Sequence, residues 1–184
     1  GPPSITIISP IEPEIKERDE IVFPKKIAIQ GDNFGMFVNN ATDYVTLDGV
    51  PCVVDRWAVT SIQCMVPSPE GTLVVSIGGQ NTTYPDFDYF NLIKQPVIAA
   101  YSPCGTPSLD GSCPAVGDFT ATIVGENLGY FADSNLTIGG KECKFTELSY
   151  TQTKVECTVP AGQGGGDAGA VPIVVCSAWK CTTE

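Results

Sequence analysis

The chain has 184 residues, 10 basic against 21 acidic, with eight cysteines and no histidine. A net charge of -11 repels phosphate backbones and anionic lipid headgroups, which argues against generic nucleic-acid binding and membrane-surface docking. The missing histidine removes the usual general base, and with it serine and cysteine hydrolases that depend on one.

Short apolar runs between Gly- and Pro-rich turns predict an all-β protein. In the first half, Ser4–Ser9 reads as a strand ending at Pro10, followed by a charged loop over Glu12–Glu20. Lys25–Gln30 is the second strand, stopped by Gly31-Asp32-Asn33. Asp48-Gly49 predicts a two-residue hairpin between Tyr44–Leu47 and Val50–Val54. Ser61–Val66, Thr72–Ile77 and Phe87–Leu92 complete seven strands, the pattern of a sandwich.

The second half repeats that plan. Ser9-Pro10 returns as Ser102-Pro103, Gly31-Asp32-Asn33-Phe34-Gly35 as Gly125-Glu126-Asn127-Leu128-Gly129, and Gly49-Val50-Pro51-Cys52 as Gly140-Lys141-Glu142-Cys143. Cys64-Met65-Val66-Pro67 returns as Cys157-Thr158-Val159-Pro160. The offsets lie between 91 and 94, so two domains are expected, 1–94 and 95–184. Val97–Tyr101, Phe119–Gly125, Asn135–Ile138, Lys141–Thr146, Lys154–Thr158 and Val171–Val175 are the predicted strands of the second copy, with a flexible loop at Gly162–Gly169. After Val175 no counterpart of Phe87–Leu92 remains, so the second sandwich is expected to lack its final strand and to leave an open sheet edge.

An even cysteine count in short β domains predicts an oxidised, extracytosolic framework. The repeat pairs Cys52 with Cys64 and Cys143 with Cys157; Cys104 with Cys113 and Cys176 with Cys181 are the remaining neighbours, found only in the second copy. Zinc is disfavoured because there is neither a Cys-x-x-Cys knuckle nor a histidine. Three N-glycosylation sequons, at Asn40, Asn81 and Asn135, agree with a secretory route to the cell surface or exterior. The sequence contains no signal peptide and no apolar run long enough to span a bilayer, so a mature product or an excised segment without direct membrane insertion is expected.

These motifs resemble the IPT/TIG family, the immunoglobulin-like domains of plexins, certain transcription factors and many surface proteins. The resemblance rests on Ile8-Ser9-Pro10, Gly31-Asp32-Asn33-Phe34, Gly49-Val50-Pro51-Cys52 and Gln63-Cys64-Met65-Val66-Pro67, with their counterparts in the second copy. It covers nearly the whole chain and implies two tandem immunoglobulin-like sandwiches engaged in binding or architecture. A DNA-binding role, known elsewhere in the family, conflicts with the acidity and the sequons.

No catalytic residue and no resident cofactor is expected. Asp86 with Asp88, and Glu12 with Glu14, could pair as carboxylates but read as solvated surface. Asp32, Asn33, Asp43 and Asp48 supply oxygen donors for calcium, yet lack ordered ligand spacing and read first as turn residues. Trp57, Tyr84, Tyr130, Phe131 and Trp179 are candidate interface aromatics, with Trp57 expected in the core. The reading is a non-enzymatic extracellular glycoprotein module for adhesion, recognition or assembly through a protein partner or self-association. One alternative is a head-to-tail filament in which Ser4, Ile5, Thr6, Ile7 and Ile8 donate a strand to a neighbouring copy. Another is an accessory domain of a secreted carbohydrate-active enzyme.

Overall fold

The computed structural model describes residues 1–38, 41–102, 119–161 and 172–182. The chain divides into two compact units, one of Gly1–Glu12 with Arg18–Ile93, the other of Pro13–Glu17 with Lys94–Glu184. Each is a two-sheet antiparallel sandwich. No helix among the described residues is long and apolar enough to cross a membrane.

Copy one contains β1 (Ser4–Pro10), β2 (Lys25–Asp32), β3 (Tyr44–Leu47), β4 (Val50–Pro51), β5 (Val53–Ala58), β6 (Ser61–Val66), β7 (Glu70–Ile77) and β8 (Gln80–Asp88). Its sheets run β1-β2-β6-β5 and β4-β3-β7-β8. Strict alternation selects the inward face: Ile62, Cys64 and Val66 of β6 are buried, while the residues between them are half-buried. They meet Ile27, Ile29, Val45, Leu47, Leu73, Val75 and Phe87 in the core. The predicted Asp48-Gly49 hairpin is present, both residues having positive φ (49° and 79°) as a two-residue turn of this hand requires.

Two boundaries differ from the sequence reading. Val50–Val54 is not one strand: the chain changes sheets at Cys52, leaving β4 in one sheet and β5 in the other. The last strand is Gln80–Asp88 rather than Phe87–Leu92. Gly78 and Gly79 both take positive φ and reverse the chain at once, so pairing resumes at Gln80. Asp88 then ends the strand by accepting the Phe90 N–H at 2.9 Å, which caps a short 3-10 turn at Tyr89–Asn91.

Copy two contains β9 (Val97–Ser102), β10 (Phe119–Glu126), β11 (Ser134–Ile138), β12 (Lys141–Glu142), β13 (Lys154–Val159), β14 (Ile173–Ser177) and β15 (Lys180–Cys181). Its sheets run β13-β10-β9 and β12-β11-β14-β15. Ala121, Ile123, Leu128, Leu136, Val155 and Val175 form its core. The predicted strand Lys141–Thr146 shortens to β12, followed by a single bridge between Lys144 and Thr158. Among the described residues the final strand is β15, with Cys176 opposite Cys181 and Ser177 opposite Lys180. In copy one the corresponding β7–β8 ladder runs from Glu70–Asp88 to Ile77–Gln80.

The cysteine framework is formed in copy two, with bonds Cys143–Cys157 and Cys176–Cys181. In copy one Cys52 and Cys64 stand as adjacent buried thiols. Their backbone placement matches the bonded pair. Cys52 N–H donates to Val45 O and Cys143 N–H to Leu136 O, both at 2.9 Å. Val53 opposes Met65 as Lys144 opposes Thr158. Closing this pair would need an oxidant. The thiols share a hydrogen bond, and that bond together with burial holds the Cys64 thiol protonated, far above its ordinary range. Cys104, Cys113, Asn40 and the Gly162–Gly169 loop lie outside the described residues.

Candidate functional site

The Gly-acidic-Asn-apolar-Gly motif builds the same corner in both copies. Asn33 and Asn127 take left-handed φ of 61° and 55°, which turns the following apolar residue back into the sandwich. Phe34 and Leu128 are thereby fully buried. Gly31 and Gly125 lie against the carbonyls of Ser4 and Val97; a Cβ at either would meet that oxygen and the side chain of Phe34 or Leu128.

One aromatic donor locks each corner. In copy one Trp57 Nε1–H donates to Phe34 O at 3.0 Å. In copy two the Tyr150 hydroxyl donates to Leu128 O, the carbonyl at the equivalent position. Phe34 N–H bonds Val59 O and Leu128 N–H bonds Gln152 O, so each aromatic sits two residues before the carbonyl that receives its own corner. Burial raises the Tyr150 phenol above its ordinary range, with the nearby Asp133 carboxylate adding to the effect. Trp57, expected in the core, is half-buried at its rim.

Outside this lock each corner carries an exposed phenylalanine. Phe37 is 41% exposed and stacks on Trp57 with ring centroids 5.1 Å apart. Phe131, its repeat partner, is 43% exposed and packs edge-on to Phe145 at 5.8 Å, which in turn meets Tyr150 at 4.7 Å. Met36 and Val38 flank the first ring; Tyr130 flanks the second, and all three are largely exposed. Tyr84 is exposed on β8 and Trp179 half-buried in the β14–β15 turn, so neither joins a corner.

The acids are spent on loop geometry. Asp43 accepts the N–H groups of Gly78 (2.9 Å) and Val38 (3.3 Å). The Gly78 bond, helped by those from Val38 and Thr42, holds its carboxyl below the ordinary carboxylate value. Asp133 accepts Tyr130 N–H at 2.9 Å, but burial outweighs that bond and raises its carboxyl. Asp48 Oδ1 accepts Thr72 N–H at 2.8 Å, and the Asn33 amide donates to Pro2 O. Of the calcium candidates, Asp32 ends β2, while Asn33, Asp43 and Asp48 serve the turns. No group of three or more potential metal ligands occurs among the described residues. Of the paired carboxylates, Asp88 caps a turn and Glu14 meets Lys16 at 3.1 Å.

A second feature is confined to copy two. A cleft of about 400 Å³ is lined by Gln95, Pro96, Val97, Ile98, Ile173 and Thr182. Tyr101, opposite the buried Ile123, is 58% exposed, whereas its counterpart Ile8, opposite Ile29, is 7% exposed. Among the described residues, the two-residue β15 followed by Thr182, which bonds Val175, stands where copy one has β8. The proposed donor segment Ser4, Ile5, Thr6, Ile7 and Ile8 is already paired with β2 and buries Ile8 in its own sandwich. Donation to another copy would require that ladder to break.

The model of the IPT/TIG domain matches residues 3–89 and again 96–179. The chain belongs to the IPT/TIG family. The sandwiches and corners described above are its two copies of that domain. Among curated proteins, this IPT/TIG pair is 23% identical to Plexin-2 of Caenorhabditis elegans over 153 residues, 81% of this chain and 8% of that protein. The chain therefore spans less than a tenth of that relative. Among solved structures it resembles a crystal structure described as "with xylogluco-oligosaccharide" (TM-score 0.53, 18% identity, 99% of this chain and 39% of that one), a likeness of fold. The full extracellular region of Plexin A4 is also similar, with TM-score 0.46, 16% identity and coverage of 99% of this chain and 17% of that one.

Proposed function

We propose that this IPT/TIG pair is a non-catalytic, extracellular recognition module of a larger surface protein, and that it contacts a protein partner through its aromatic corners. The observation that carries this reading is the repeated exposed phenylalanine. Phe37 and Phe131 hold the same place in two copies, each braced by a second ring rather than sunk into the core. A rigid, half-exposed aromatic loses little entropy on contact and buries much apolar area, the character of an interface anchor. The net charge of -11 favours a partner whose contact surface is basic around an apolar centre. The two disulfides of copy two, together with the plexin relative, support an oxidising extracellular setting.

The test is a multivalent form of the chain applied to a panel of secreted ectodomains and, in parallel, to an oligosaccharide panel. The reading expects a protein hit that weakens when Phe37 and Phe131 are both replaced by serine. Binding confined to oligosaccharides would overturn it.

A further inference from the structure

Two of the sequons are unrelated in the repeat: Asn81 follows the β7–β8 turn of copy one, whereas Asn135 lies in β11 of copy two. The strand register brings them to equivalent ground. In copy one Tyr44 opposes Ser76, and Ser76 opposes Asn81. In copy two Asn135 opposes Cys176, and Cys176 opposes Cys181. Tyr44 and Asn135 begin corresponding rows, and Asn81 and Cys181 end them. Residues directly opposed across antiparallel strands point to one face. Asn135 lies between buried Ser134 and Leu136, and Tyr44 between buried Asp43 and Val45, so Tyr44 and Asn135 face outward; Ser76, in the middle of the copy-one row, is itself buried and donates to Thr42 O.

Three other asparagines make surface hydrogen bonds: Asn33 donates to Pro2 O, Asn91 to Asp88 and Asn127 to Gln95 O. Asn81 and Asn135 are exposed. Each has its sequon threonine two residues on, Thr83 and Thr137, which strand alternation returns to the same face.

We propose that Asn81 and Asn135 both carry N-linked oligosaccharides, one on the same row of the corresponding sheet in each copy, and that the glycan on Asn135 shields the Cys176–Cys181 bond beside it. The donor is a lipid-diphosphate-linked oligosaccharide handled by a secretory-pathway transferase. The asparagine amide nitrogen bonds to the anomeric carbon and gives up a proton; the sugar's bond to the diphosphate oxygen breaks, and the lipid diphosphate leaves with that electron pair. A sugar on this row keeps the sheet face from lying flush against another protein, which leaves the corners to make contact. The inference rests on the secretory reading given above.

The experiment separates the two. The full chain is expressed behind a secretion leader in a eukaryotic host, so entry to the pathway is assured. Asn81 and Asn135 are then scored by glycopeptide mass spectrometry before and after glycosidase treatment. Both are expected modified in the secreted product; an unmodified Asn81 or Asn135 overturns the proposal without touching the recognition reading. The glycosylated chain and its Asn135→Gln variant are next exposed to a soluble thiol, and opening of Cys176–Cys181 is followed by alkylation. Loss of the glycan is expected to speed opening by roughly threefold or more through easier access to the sulfurs. Equal rates overturn the shielding role.

Discussion

Closure of the Cys52–Cys64 pair is the change with the largest expected effect on copy one. The thiols are buried and in hydrogen-bond contact. Their neighbours hold the register that surrounds a formed bond in copy two, where the Cα atoms of Cys143 and Cys157 are 5.5 Å apart. Oxidation should therefore need little movement of the folded backbone. Closing a loop of about 13 residues restricts the unfolded chain enough to stabilise the fold by about 3 kcal/mol. For a domain of this size that is a rise in Tm of roughly 12–24 °C. The assay is thermal unfolding of oxidised and reduced full-length chain in a Trp179→Phe background, where Trp57 fluorescence follows copy one. The reduced comparison uses Cys52→Ala with Cys64→Ala, so that the copy-two bonds stay intact. Thiols that still alkylate after oxidant treatment and unfolding would refute the geometric argument. A bond that forms without raising the Trp57 transition would refute the chain-entropy estimate.

Other outcomes follow from the corners. Gly31→Ala should destabilise copy one by about 1–3 kcal/mol, because the new methyl meets the Ser4 carbonyl and the Phe34 ring; denaturant unfolding measures it. Tyr150→Phe should cost copy two about 0.5–1.5 kcal/mol through loss of its hydrogen bond to Leu128 O, Ser134 still serving that carbonyl; the same denaturant series reads it. Asp43 has a depressed folded-state pKa, so it stabilises above the unfolded value of 3.8, and that contribution is lost as pH falls through the lower folded value. Asp43→Asn should therefore lower Tm at neutral pH, with the gap to wild type closing in acid. Asp133, raised by burial, should give the opposite slope: its contribution falls as pH rises from 3.8 through the folded value, and Asp133→Asn should flatten that fall.

The repeat was legible in sequence because its landmarks have strict backbone roles. Gly31 and Gly125 admit a carbonyl where no Cβ fits, and Asp48-Gly49 and Gly139-Gly140 take the positive φ of a tight hairpin. Alternating apolar residues then assigned the inward faces. The β8 start was missed because Gly78-Gly79 is a tight turn rather than the beginning of a long loop. The corner lock was missed because tryptophan and tyrosine were not aligned with one another. Both stand seven residues before the second cysteine of their copy, Trp57 before Cys64 and Tyr150 before Cys157, and that spacing was the available signal. Which aromatics are exposed depends on how the corner loops fold back, so Phe37 and Phe131 became a matched pair only with the structure. Closure of Cys52 with Cys64 depends on an oxidant, which spacing does not encode.

The central claim, recognition of a protein through two aromatic corners, is tested most directly by one affinity ratio. Binding of the full chain to an ectodomain captured by it is measured beside the Phe37→Ser, Phe131→Ser double variant, at low and at physiological salt. The account predicts at least a tenfold loss of affinity in the double variant, about 1.4 kcal/mol or more, with binding of the intact chain tighter at low salt. Equal affinities for the two proteins, with the variant folded, would contradict it.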